Sequence, residues 1–448
     1  MKTPIVDFVK KYQSGANIRA HMPGHKGKAV FDVAKFDITE ISGADSLYEA
    51  EGIIRESEAY ASEIFGADTF YSAEGSTQCI KAMLFLAVKH ARSLGKKPLV
   101  LAARNAHKSF IAASALLDFE IKWILPNSET YLSSAIDLEE LEAILSGDDA
   151  PTALYLTSPD YLGAISDISA AAKICKKYGV LLLVDNAHGA YLKFLEKSRH
   201  PIDQGADMCC DSAHKTLSAL TGAAYLHISR NAAGVLKETA KYALSIFGST
   251  SPSYLILASL DALNPYLSGD YAKELQAFVA KFEKCKQKLS KIYRLTGEEP
   301  LKITISPKEH GYLGTELAEY IRAFGIEPEF SDPDYLVLML TPENTEGEIE
   351  RITEVLVSVP KKAAIKDGAP APRIYERVLM PREALMADFV TVDVRESLGK
   401  VLASASVACP PAVPILVMGE RIDKDAISAF LYYGIEKINV LRCENKDE

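Results

Sequence analysis

Between about residue 60 and residue 230, short apolar runs alternate with helical patterns, and this alternation limits the possible folds more than any other feature of the chain. The candidate strands are PLVLAA (98–103), IKWIL (121–125), ALYLT (153–157), VLLLV (180–184), ADMCC (206–210) and AAYLHI (223–228). Several are apolar throughout instead of alternating, as strands buried on both faces are. The segments between them carry helix-end signals. STQCIKAMLFLAVKHARSLG opens at Ser76 and stops at Gly95, and DISAAAKICKKYG opens at Asp167 and closes at Gly179 with lysines in its last turn. The pattern predicts an α/β domain with a mostly parallel sheet and helices on both faces.

The alternation then ends. Residues 270–292 read as one long amphipathic helix. Beyond it LKITI, GTELAEYIRAFG, YLVLMLT and EGEIERITEVLVSV suggest a smaller α+β domain, interrupted by the Pro-rich basic linker VPKKAAIKDGAPAPR (359–373). The first 45 residues fit neither body. The expected organisation is an N-terminal arm over 1–45, a large α/β domain over 46–292 and a smaller C-terminal α+β domain over 293–448. With 448 residues, 48% of them apolar, the chain can bury at least one large core.

Charge and cysteine usage exclude several classes. A net charge of −10, with no Lys/Arg cluster interleaved with aromatics, argues against a nucleic-acid partner. Seven cysteines without CxxC pairs read as reduced thiols of a cytoplasmic protein, and no signal peptide or apolar run of membrane-span length is present, so no membrane partner is expected. No metal site is expected either, because Pro23 and Gly24 break the helix that would align His21 with His25. Cys209 and Cys210, adjacent in an apolar strand, read as packed side chains.

In an open α/β sheet, ligands gather beyond the carboxyl ends of the strands. Four such ends carry polar or titratable groups: Arg104, Asn105, His107, Lys108 and Ser109; Ser158, Asp160 and Tyr161; Asp185, Asn186, Ala187 and His188; and Asp211, Ser212, His214 and Lys215. A buried aspartate on one edge and a lysine thirty positions on suit a pyridine-ring cofactor. The carboxylate would keep the ring nitrogen protonated, and the amine would bond covalently to the cofactor aldehyde. Asp185 and Lys215 stand in those places. EGSTQ (74–78), opening a helix, offers backbone amides and the hydroxyls of Ser76 and Thr77 to a phosphate, and Ser212 and His214 could complete the cup.

HMPGHKG (21–27), DITEISGADSL (37–47), EGST (74–77), HKS (107–109), TSPDYLG (157–163), VDNAHGAY (184–191), DSAHKT (211–216), GSTSPSY (248–254), PREAL (381–385) and CPPAVPILVMGE (409–420) together resemble the prokaryotic ornithine/lysine/arginine decarboxylase family of fold-type I pyridoxal phosphate enzymes. The resemblance implies pyridoxal 5'-phosphate linked to Lys215, Asp185 on the ring nitrogen, His107 stacked on one ring face and Ala187 against the other, with His188 beside them. It implies a phosphate site made of Gly75, Ser76, Thr77, Ser212 and His214, completed across a homodimer interface by Thr250 and Ser251. The implied reaction is decarboxylation of a basic amino acid, arginine or lysine before ornithine, with Lys215 or His107 returning the proton. Alternatives on the same scaffold are an aminotransferase or lyase reaction, or a cofactor-binding assembly or regulatory homologue without turnover.

The chain departs from the family pattern at several positions. Asn186 stands where a glutamate follows the ring aspartate, Gly222 where a glutamine follows LT, Asp160 where a threonine is common, Ser404 where a glutamate precedes the Pro-Pro segment, and CPPAVP, from Cys409, where YPPGIP is typical. A cationic substrate end requires an acidic partner, for which Asp160, Glu74 and Glu329 are the candidates.

Overall fold

Seven strands form one sheet: β1 (Ala67–Ser72), β2 (Leu99–Ala103), β3 (Glu120–Ile124), β4 (Ala153–Thr157), β5 (Leu181–Asp185), β6 (Met208–Asp211) and β7 (Ala224–Ser229), in the order β1-β7-β6-β5-β4-β2-β3. Pairs β2–β3, β2–β4 and β5–β6 are parallel, whereas β7 runs antiparallel to both β6 and β1. Six strands coincide with the apolar runs to within two residues. The seventh, β1, has the mixed sequence ADTFYS and gives no apolar run, because Thr69 and Ser72 are buried through hydrogen bonds instead of by hydrophobicity.

This computed structural model describes residues 1–442 apart from 29–31, 127–129, 134, 405–407 and 410–411, and of Ala408 and Cys409 it describes the backbone only. Pro410 and Pro411 of CPPAVP, and Cys443, therefore lie outside the described residues. The helices up to the end of β6 are α1 (Pro4–Ser14), α2 (Ile53–Phe65), α3 (Ser76–Ser93), α4 (Lys108–Leu117), α5 (Leu138–Leu145) and α6 (Ile168–Tyr178), and the single turn α7 (Ala213–Thr216) follows β6.

The chain divides into two compact units, each built from two stretches of sequence: residues 1–96 with 168–276, and 97–167 with 277–448. These boundaries differ from the expected ones, and we keep the arm over 1–45 and the domains 46–292 and 293–448 as a proposal about domain organisation. In the first unit, α1 packs against α2 and against the helix Tyr254–Ser268. The amides of Ile5 and Val6 each donate to Asp261 Oδ2 at 2.9 Å, so a buried carboxylate receives the start of α1. α3 lies against β1, β5, β6 and β7, and its buried face carries Ile80, Met83, Leu84 and Leu86.

The second unit contains an antiparallel sheet of β8 (Arg294–Thr296), β9 (Lys302–Ser306), β10 (Phe330–Ser331) and β11 (Leu336–Met339), ordered β10-β11-β9-β8, with helices at Gly314–Arg322 and Glu346–Val357. Its hydrophobic cluster includes Val337, Leu402, Ile415, Phe430 and Val440. The linker 359–373 has no regular structure, yet the amides of Lys362 and Ile365 donate to the carbonyls of His310 and Lys308.

Candidate active site

Strand direction alone assembles one edge of the first unit. β5 and β6 are parallel, with Asp185 opposite Cys210, so Asp185 and the segment Asp211–Lys215 emerge on the same side. β7 starts there, with Tyr225 opposite Asp211, and β1 ends there, with Ser72 opposite Ala224. The Gly75 amide donates to Gly222 O at 2.8 Å and closes this edge at the start of α3.

On that edge Lys215 Nζ lies 3.1 Å from Nε2 of His188. The lysine is half-buried and the imidazole buried. Asp185, three residues before His188, is 3% exposed; its Oδ1 accepts from the Ala187 amide at 3.2 Å and lies 3.6 Å from Cys210 Sγ. Burial, and then the Asp185 carboxylate, push the Cys210 thiol well above its usual range, so it remains a neutral neighbour. Lys215 and Asp185 are thus brought to one edge, linked through the short VDNAH segment. His188, expected beside the cofactor, lies against the lysine amine.

The groups expected to hold a phosphate also meet. Ser212 Oγ donates to Ser76 Oγ at 2.9 Å, joining the residue after β6 to the first residue of the 18-residue helix α3. Gly75 has φ +72°, and a Cβ there would find open space, so the turn leaves room beside the positive end of α3. His214 Nδ1 is 2.9 Å from Ala223 O, and burial, with the nearby Lys215 charge, lowers its pKa. Thr77 is exposed at the same turn. Gly222 has φ +97°, and a Cβ would lie 3.1 Å from Ile256 Cδ1 and 3.2 Å from Ala73 O, which accounts for glycine where the family pattern has glutamine. Thr250 and Ser251 lie exposed in the loop before the helix Tyr254–Ser268. Glu74 is exposed.

Behind this edge is a buried polar cluster whose members received no role in the sequence reading. Asn186 Nδ2 donates to Asp211 Oδ1 at 2.7 Å, and Asp211 Oδ2 lies 3.0 Å from His200 Nε2 and 3.2 Å from His227 Nε2. All four residues are 0% exposed. Burial alone would raise the Asp211 pKa, but the two histidines hold it below the usual carboxylate range. His227 is pushed down by burial, against the pull of Asp211. A signal was available: a histidine inside the otherwise apolar run AAYLHI has to find a partner.

The remaining candidates belong to the second unit. His107 is half-buried and caps α4, its Nδ1 accepting from the Ser109 amide at 3.1 Å and lying 2.8 Å from Ser109 Oγ. Asp160 is 0% exposed and its Oδ1 accepts from the amides of Leu162 and Ala164, each at 2.9 Å, so it shapes the TSPDYLG turn. Glu329 is exposed at the start of β10. Ser404, half-buried, lies outside the helices and strands. Arg104 is almost fully buried: its guanidinium donates to the carbonyls of Pro414 and Ile415 and pairs with Glu420 at 3.3 Å. Burial raises the Glu420 pKa, with Arg104 opposing.

Residues 3–305 match the family model described as Orn/Lys/Arg decarboxylase, major domain. The chain is 27% identical over 460 aligned residues to an arginine decarboxylase of Bacillus subtilis, covering 95% of this chain and 92% of the relative. It is 28% identical to an arginine decarboxylase of Halalkalibacterium halodurans, with the same coverage of both chains. Among solved structures, the constitutive lysine decarboxylase of Escherichia coli superposes with a TM-score of 0.77 over 98% of this chain and 82% of that one, at 18% identity. Lysine decarboxylase A from Pseudomonas aeruginosa gives 0.80 over 98% and 80%, at 17% identity. These likenesses bear out the expected fold class, and with the family match covering more than half of its length the chain belongs to the Orn/Lys/Arg decarboxylase family.

Proposed function

We propose that this protein is a pyridoxal phosphate-dependent decarboxylase of a basic amino acid, arginine or lysine before ornithine, serving polyamine or diamine metabolism as a cytoplasmic homodimer. The observation that carries the reading is the lysine amine at 3.1 Å from the His188 imidazole, on the strand edge that also bears Asp185 and the Ser76–Ser212 pair. The donor set fits the cofactor. A buried carboxylate suits a ring nitrogen that must stay protonated, and two serine hydroxyls at the positive end of a long helix suit a phosphate.

Bound pyridoxal phosphate would supply the electron sink into which the bond to the departing carboxylate breaks. The protein would hold its charges in place for that event. Asp185, kept in position by the Ala187 amide, would place its carboxylate beside the ring nitrogen. Lys215 would provide the amine for covalent attachment, and His188 Nε2, 3.1 Å away, orients it. Gly75, Ser76, Thr77, Ser212 and His214 would hold the phosphate, Ala187 and His107 would flank the ring, and Thr250 and Ser251 would complete the phosphate site of a neighbouring subunit. Lys215 or His107 returns the proton to the product carbon. Relatives named arginine decarboxylase support the substrate class. Of the three acids considered for the cationic end of the substrate, Asp160 already accepts two backbone amides, which leaves Glu74 and Glu329 as the exposed carboxylates.

The test is purified protein with pyridoxal phosphate against arginine, lysine and ornithine, scoring carbon dioxide and amine. Release of both in equal amounts from arginine or lysine is expected. A keto acid without carbon dioxide, or no turnover of any of the three, would contradict the reading.

A further inference from the structure

We infer that Asp211, held from behind by His200 and His227, is a positioning residue that acts through Asn186 to fix the strand end bearing Asp185 relative to the one bearing Lys215. The inference rests on the decarboxylase reading for its functional consequence. Its structural basis is independent of that reading.

The geometry is that of a clamp. Asn186 follows Asp185 directly, and its backbone amide donates to Cys210 O at 3.0 Å while its side-chain amide donates to Asp211 Oδ1 at 2.7 Å. Asp211 is the last residue of β6, one residue before Ser212 and four before Lys215. Two hydrogen bonds from one residue therefore tie the ends of β5 and β6 where their side chains do the chemistry. The other oxygen of Asp211 receives His200 and His227 at 3.0 and 3.2 Å, and His227 Nδ1 is in turn 2.9 Å from Thr69 Oγ1 on β1. A carboxylate removed from water is costly unless its lone pairs are met, and three donors meet them here. Once met, the same interactions leave the carboxylate one permitted position.

The clamp also explains why residue 186 is an amide. A carboxylate there would stand at hydrogen-bonding distance from the Asp211 carboxylate in a fully buried place, and two such groups cannot both ionise. The groups facing the pair are His200, His227, Cys209, Cys210, Asp185, Cys79 from α3 and Tyr225 from β7. Burial holds the three thiols and the tyrosine in their neutral forms, so the charge balance is set by Asp211, Asp185 and the two imidazoles. His200, Cys209 and Asp211 could also be read as metal ligands, since their donor atoms lie within 4.8 Å of one another. The hydrogen-bond reading accounts for more, because it uses both oxygens of Asp211 and includes His227 and Asn186.

The test compares Asn186→Asp and Asn186→Ala with the parent chain between pH 5.5 and 8.5. Asn186→Asp can donate to Asp211 only while one of the two acids is protonated. Its kcat relative to the parent should therefore be near one at pH 5.5 and fall about tenfold by pH 8.5, with KM within about twofold, as expected for misplacement and not lost binding. Without cofactor, the melting temperature of Asn186→Asp should drop away from the parent's over the same range, whereas Asn186→Ala should show a loss that does not change with pH. A pH-independent ratio for Asn186→Asp, in rate and in melting temperature, overturns the inference. Should neither variant fold, nitrogen NMR of the histidine rings in the cofactor-free parent decides: protons on Nε2 of both His200 and His227 support the clamp, and a proton on Nδ1 of His200 with Nε2 bare overturns it. A stoichiometric metal ion in the purified parent overturns it as well. If no basic amino acid is decarboxylated, the proposed function fails while the cofactor-free measurements still judge the clamp.

Discussion

Two strand ends of the same sheet, β5 in the first unit and β2 in the second, look alike in sequence: each apolar run is followed by polar or charged residues. The residues that immediately follow each strand, His107 after β2 apart, are used differently. After β5, the chain presents Asp185 and His188 to an edge where the lysine amine is a hydrogen bond away. After β2, Arg104 turns into the protein and is consumed by two carbonyls and Glu420. Asp160 after β4 behaves like Arg104, its Oδ1 taken up by the neighbouring amides of Leu162 and Ala164. Polar residues at strand ends therefore mark where ligands can gather, but only those whose partners leave an atom facing the edge are candidates for chemistry.

That contrast predicts opposite phenotypes. The largest expected effect is that of Lys215→Ala, which should lower turnover by on the order of 10⁴-fold and abolish the visible absorbance of bound cofactor, with little change in unfolding midpoint. Near-parent turnover, or an undiminished absorbance band, would break the comparison at its functional side. Asp185→Ala should retain part of the cofactor yet lose about 10³-fold in rate, measured at saturating cofactor, because the charge beside the ring nitrogen is gone.

On the structural side, Glu420→Ala leaves the Arg104 guanidinium buried without its counter-charge and should cost ~3–5 kcal/mol of stability in denaturant unfolding. A cost within error of zero would show that Arg104 is not held as described. The smallest effect concerns Asp332 in the second unit, where burial, and then Asp334, push its pKa up to about 7. The folded chain then keeps a proton that the unfolded chain has already released, so this group's contribution to stability declines as pH rises from about 4 to about 7. Asp332→Asn should flatten that decline in melting temperatures taken across the same range, and an unchanged slope would remove Asp332 as its source.

The fold was largely legible because several buried strands write continuous apolar runs, and six of the seven strands lie within two residues of a predicted run. β1 escaped because its buried Thr69 and Ser72 rely on hydrogen bonds, Thr69 with the distant His227 and Ser72 with Gln78 in α3. The pairing of Lys215 with His188 was not legible, since 27 residues separate them and only the parallel register of β5 and β6 brings them together. The same holds for Asp211, whose partners come from three separate segments. Asp160 shows the reverse difficulty. A carboxylate after a buried strand reads as a binding group, and nothing in TSPDYLG reveals that its own backbone claims it.

The account depends most on the assignment of Lys215. Purified protein loaded with pyridoxal phosphate, reduced with borohydride, digested and sequenced by mass spectrometry should carry the pyridoxyl mass on the peptide containing Lys215. The label on a different lysine, or on none in a protein that still releases carbon dioxide and amine, would contradict it.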